Sequence, residues 1–138
     1  MSNRLPTDQE IEREIAKLKK TNAFRFVGEH WSESHDSVRI SAAWLSAQKN
    51  IKNPNSCWYM PLKHVIECWG GHYVSTSDVI VAASLLGLKG RYPQFNISKR
   101  FTRPTVERLA PIKEAGIHRS TYTRFNDVYS RAEQGGES

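Results

Sequence analysis

The stretch LLGLKGRYPQFNISKRF, Leu85–Phe101, decides what kind of fold this chain has. An apolar run meets Gly87 and Gly90. Basic residues, a tyrosine and a proline follow, and a short segment closes on Lys99-Arg100-Phe101. A helix-turn-helix wants a small residue in its first helix, a glycine at the turn and an apolar residue early in the second helix. Ala83 and Gly87 meet the first two requirements. Pro93 stands where the simple motif wants the apolar residue. Ile97 can serve only if the turn is about four residues longer than in the simple motif. On that basis a second helix is expected over Pro93–Arg103. Its polar side would present Gln94, Asn96, Ser98, Lys99 and Arg103, with Lys89 and Arg91 on phosphate. Gln and Asn can pair with adenine, and Arg or Lys with guanine. The plainer alternative is a basic solvent loop, with Asn96 capping a short helix and Gln94 exposed.

Upstream, Ser75 and Asp78 form an N-terminal capping signal for a helix over 76–88, apolar on most sides and therefore central. Pro61 suits a first helical position. Leu62, Val65, Ile66 and Trp69 then make a core stripe that Gly70-Gly71 stops. Another helix is expected from Ser34 or Asp36 through Ile51, with Val38, Ala42 and Leu45 on one face and Asn53-Pro54-Asn55 ending it. Thr7 and Glu10 match a capping box for a first helix over 8–20, whose seam is Ile11, Ile15 and Leu18. That thin seam could dock on the domain or form a homodimer through helix 8–20. Short strands are admissible at 23–27 and 72–74. Downstream, Pro104 and Pro111 leave one or two turns around Val106 and Leu109. Ser120 is expected to cap a last helix carrying Tyr122, Phe125, Val128 and Tyr129.

The expected fold is therefore mainly α: a compact bundle of five to six short helices, with a divergent helix-turn-helix and at most one or two very short strands. The expected organisation is a flexible N-terminus (1–6), one α-helical domain (7–133) and a flexible tail (134–138). At 138 residues the chain can bury a core without metals or disulfides. Its 38% apolar content is modest, but four Trp, five Tyr and five Phe compensate with large side chains.

The net charge of +6 is unevenly spread. The window 89–124 holds nine basic and two acidic residues, a balance of +7, so the rest of the chain is close to neutral. Arginine predominates there, and arginine pairs with phosphate bidentately. Lys89, Arg91, Lys99, Arg100, Arg103, Arg108, Arg119 and Arg124, with Tyr92, Gln94 and Asn96, are the candidate nucleic-acid or anion-binding residues. Tyr92, Phe95, Phe101 and Tyr122 are interleaved, as stacking on bases would require.

Evidence for chemistry is thinner. Cys57, His64, Cys68 and His72 are spaced 7, 4 and 4, and His30 and His35 lie among acids, but no CxxC or HExxH occurs. A Cys68 nucleophile with His64 or His72 has no third orienting group in view. No phosphate-binding loop or dinucleotide fingerprint is present. No catalytic residue, metal or cofactor is expected, and the protein is not expected to be an enzyme. Trp44 and Trp69 sit in helical stripes and belong to the core, while Trp31 and Trp58 lie in loops. No apolar run follows Met1, and the longest, Val79–Leu86, is too short to span a bilayer. A cytoplasmic protein with reduced thiols and no membrane partner is expected.

The leading expectation is a small nucleic-acid-binding regulator, DNA favoured, using the basic segment 89–124. The alternative is a non-enzymatic binding module or inhibitor that captures an acidic protein or a small anionic ligand such as a nucleotide, of the kind phages and mobile elements encode.

Overall fold

A computed structural model describes residues 4–24, 35–54, 62–116 and 125–134. Within them the chain forms four helices: α1 (Asp8–Lys19), α2 (Asp36–Ser46), α3 (Leu62–Gly70) and α4 (Thr76–Leu85). Both capping boxes form. Thr7 accepts from the Glu10 N–H (3.1 Å) and Glu10 accepts from the Thr7 N–H (2.9 Å). Ser75 and Asp78 exchange the same pair of bonds, 3.1 and 3.0 Å, in a buried setting. Each box satisfies donors that a helix start leaves without intrahelical partners.

α4 is the centre of the core. Val79, Val81, Ala82 and Ala83 are buried, and its main neighbours are α2 and α1. α2 lies alongside, burying Ile40, Ala42, Ala43, Trp44 and Leu45. Small alanines let the two helices approach. Gly70 does the same for α3 against α2, since a Cβ there would stand 2.4 Å from Cγ2 of Ile40. The seam of α1 is spent on this core. Ile11 is fully buried, and Ile15 and Leu18 pack against the cluster. The seam thus docks on the domain.

The second half departs from a helix bundle. α4 ends in a Schellman motif: the Gly87 N–H donates to the Ser84 carbonyl and the Leu88 N–H to the Ala83 carbonyl, both at 3.0 Å. Gly87 takes the left-handed conformation this stop requires, φ 74°. It terminates α4 and opens no second helix. The chain instead forms a tight hairpin, β1 (Gly90–Arg91) against β2 (Gln94–Phe95), with Tyr92-Pro93 at the turn. Ile97 makes an antiparallel bridge with Asn50. Next comes β3 (Phe101–Arg103). The expected helix over 93–103, and with it the helix-turn-helix, is therefore corrected to strands. Apolar Phe95 and Ile97 stand two residues apart with polar Asn96 between them, the period of a strand rather than a helix.

β3 pairs in parallel with β4 (Tyr129–Ala132), Phe101 opposite Tyr129 and Arg103 opposite Ala132. The Gln48 side chain covers another part of β3: its Oε1 accepts from the Thr102 N–H (2.9 Å) and its Nε2 donates to the Thr102 carbonyl (2.8 Å). One amide side chain thus acts as a one-residue strand. The last helix expected from Ser120 is corrected as well. Asn126–Val128 is a single 3₁₀ turn leading into β4, and Ser120 and Tyr122 lie outside the described residues. Val106–Leu109 forms the anticipated short turn, as 3₁₀. Residues 72–74 form no strand, and most of 23–27 lies outside the described residues. The fold is thus mixed: four helices with two two-stranded sheets, not a bundle of five to six helices.

Trp44 joins the halves. Its ring meets Phe101 edge-on (5.1 Å between centroids, 78°), and its Nε1 donates to the Tyr129 hydroxyl (2.9 Å). Trp69 is also buried and donates to the Pro104 carbonyl (3.1 Å). Trp31 and Trp58 lie outside the described residues.

Candidate nucleic-acid interface

The hairpin does not stand alone. Asn96 follows β2, and its N–H donates to the Lys89 carbonyl (3.1 Å) while its side-chain Oδ1 accepts from the Lys89 N–H (2.7 Å). On its other side the Asn96 carbonyl accepts from the Ile51 N–H (2.9 Å), and Nδ2 donates to the Ile51 carbonyl (3.1 Å). The Ser98 N–H donates to the Lys49 carbonyl (2.8 Å). Residues 49–51 are thereby laid along 96–98 as a third, irregular strand.

This joins two sequence-distant sets of cations. Lys89 and Arg91 come from the hairpin, Lys99 and Arg100 from the loop before β3, and Lys49 and Lys52 from the segment after α2. All six are exposed. Neither 49–54 nor 87–103 contains an acid. Among the described residues none of the six forms an ion pair. Lys49 and Lys52 escape a reading by charge along the chain because they lie outside the window 89–124. Only the pairing of 49–51 with 96–98 brings them in.

Several basic side chains elsewhere are instead held against acids. Arg39 bonds Asp8 and also Asp36 (2.6 Å), and Arg4 bonds Glu10 (2.9 Å). His35 lies between Asp8 (3.1 Å) and Glu12 (2.6 Å). The Arg4 bond is the main reason the Glu10 carboxyl is held at about 2, down from 4.5. Acids thus gather on α1, away from the basic segment in sequence.

The remaining candidates divide. Tyr92 is half-buried, its hydroxyl accepts from the Lys63 N–H (3.0 Å), and burial pushes that hydroxyl's pKa up. Its ring meets Phe95 edge-on at 6.3 Å. Phe95 and Phe101 are buried, so neither presents a ring for stacking. Asn96 is buried and its amide is committed to backbone on both sides. Gln94 is half-buried on β2 and Arg103 half-buried at the end of β3. Arg108 sits in a bidentate pair with Glu133 (2.8 and 2.5 Å) and also donates to the Ser46 hydroxyl (2.9 Å). Arg119 and Arg124 lie outside the described residues.

No protein-family model, no curated protein and no solved structure matches the chain.

Other chemistry finds little geometry. Among the described residues no group of three or more His, Cys, Asp or Glu side chains could hold a metal ion. Cys57 and His30 lie outside them. His64 bonds Glu67 (3.0 Å). Ser37 approaches Nδ1 of His72 at 3.2 Å, but it is fully buried and its hydroxyl donates to the Tyr73 carbonyl (2.6 Å). Behind the hairpin lies a cavity of about 240 Å³ lined by Leu18, Ile80, Leu88, Tyr92 and Phe95, with Arg91 bordering it. No described helix is long and apolar enough to cross a membrane.

Proposed function

We propose that this protein is a nucleic-acid-binding regulator, with DNA the favoured target. The basic end formed by 49–52, 89–91 and 99–100 would grip backbone phosphates. The observation that carries this is the convergence of six exposed, acid-free cations from segments that hydrogen bonds tie side by side. Folding gathers them with no charge partner among the described residues, which a phosphate backbone would supply. No helix-turn-helix is involved. Such a protein would act in the cytoplasm.

Fluorescence anisotropy with a labelled duplex, repeated across salt concentrations, tests the proposal. With about four to six phosphates neutralised, log Kobs should fall against log salt with a slope of roughly −4 to −5. Arg100→Glu or Lys99→Glu should abolish a gel shift at moderate salt while the melting temperature stays put, because both side chains are exposed. Failure of duplex and single-stranded DNA to bind at low salt would refute it. Equal affinity for an acidic polypeptide would transfer the surface to a protein partner.

A further inference from the structure

We infer that the β1–β2 hairpin is a base-reading ribbon for B-form duplex DNA, with Arg91 and Gln94 as its reading pair; this rests on the phosphate-binding role proposed above. The register places Arg91 opposite Gln94 on one rung and Gly90 opposite Phe95 on the next. Phe95 is turned into the core, 4% exposed. Successive side chains of a strand point to opposite faces, so the Arg91–Gln94 rung is turned from the Phe95 face, with Arg91 exposed and Gln94 half-buried. An arginine beside a glutamine is a fitting pair for major-groove readout, the first bidentate to guanine and the second to adenine.

The surroundings suit that use. Lys89 precedes the ribbon, Lys49 and Lys52 lie on the segment paired with 96–98, and Lys99 and Arg100 follow it. Such cations would hold phosphates while the rung meets bases, the usual division between positioning and specifying contacts. The ribbon is also anchored. The Asn96 amide ties its base on two sides, and the Tyr92 hydroxyl ties its turn to the start of α3. A two-stranded ribbon enters the major groove of B-form DNA, whereas the deep, narrow major groove of A-form RNA excludes it.

The test begins by enriching preferred sites from a randomised duplex pool on the full chain. Arg91→Lys, Arg91→Ala and Gln94→Ala are then compared on the enriched site and on a scrambled duplex. Arg91→Lys keeps the charge and removes the bidentate fork. It should lose roughly tenfold or more in the ratio of its affinity for the enriched site to that for the scrambled duplex. Gln94→Ala should lose discrimination at an adenine. Equal binding of duplex RNA, retained discrimination in Arg91→Lys, or enrichment that yields no preferred site while duplex binding persists would each overturn the inference and leave the phosphate-binding role standing. Failure to bind any nucleic acid would overturn both.

Discussion

Asn96 shows how far a single residue's role depends on its folded neighbours. Its polar side chain, next to lysines and arginines, suggests contact with adenine or a helix cap. In the fold it is buried, and its amide bonds Lys89 on one side and Ile51 on the other. Asn96→Ala should therefore lower stability by about 1–3 kcal/mol, the usual effect of leaving buried polar partners unmet. It should also weaken DNA binding indirectly, because 49–52 would no longer be held beside the hairpin. Urea unfolding and anisotropy on the same variant would show both effects together. Trp44→Ala, which deletes a fully buried ring, should lose about 3–5 kcal/mol. Glu10 gives a pH signature. Its folded carboxyl is held at about 2 against 4.5, so its contribution is present above the unfolded value and disappears as pH falls through that window. Protection of the α1 amides, taken relative to the intrinsic exchange rate at each pH, should fall on acidification over this range, and Glu10→Gln should flatten the change.

At the scale of elements, local signals are legible in the sequence and remote pairings are not. The capping boxes at Thr7 and Ser75, and the stripe Leu62–Val65–Ile66–Trp69, are decided by residues within a turn or two of each other, and they fold as their spacing indicates. β3 is different. Its partners are β4 and Gln48, both far off in sequence, and nothing within Phe101–Arg103 points to either. The hairpin is an intermediate case. The alternation of Phe95 and Ile97 is visible, but the glycine and small-residue spacing of a helix-turn-helix outweighs it. The basic segment is legible as charge. Its companion lysines at 49 and 52 are not, since they join it only through backbone hydrogen bonds. β4 depends on side chains for support, because a lone two-stranded sheet is marginal in water. Glu133 accepts from Arg108 and from the Thr105 N–H (3.0 Å), which also holds its carboxyl below the usual range. Glu133→Ala should speed amide exchange in Tyr129–Ala132 and leave α4 protected.

For the whole molecule, function is a matter of how charge is partitioned. α1 carries Asp8, Glu10, Glu12 and Glu14, and these occupy Arg39, Arg4, His35 and Lys17. Lys49, Lys52, Lys89, Arg91, Lys99 and Arg100 form no such pair among the described residues, and their segments are tied side by side by backbone hydrogen bonds, which is what suggests an anionic partner. The most direct test is the salt dependence of duplex binding for two double variants that each remove two exposed positive charges. Lys49→Ala with Lys52→Ala should make the slope of log Kobs against log salt shallower by roughly 2, at about 0.9 for each phosphate no longer neutralised. Arg13→Ala with Lys20→Ala, on α1 and at its C-terminal cap, should leave the slope unchanged. Equal slopes for the two variants, or a wild-type slope retained in the first, would contradict a basic interface at this end of the molecule.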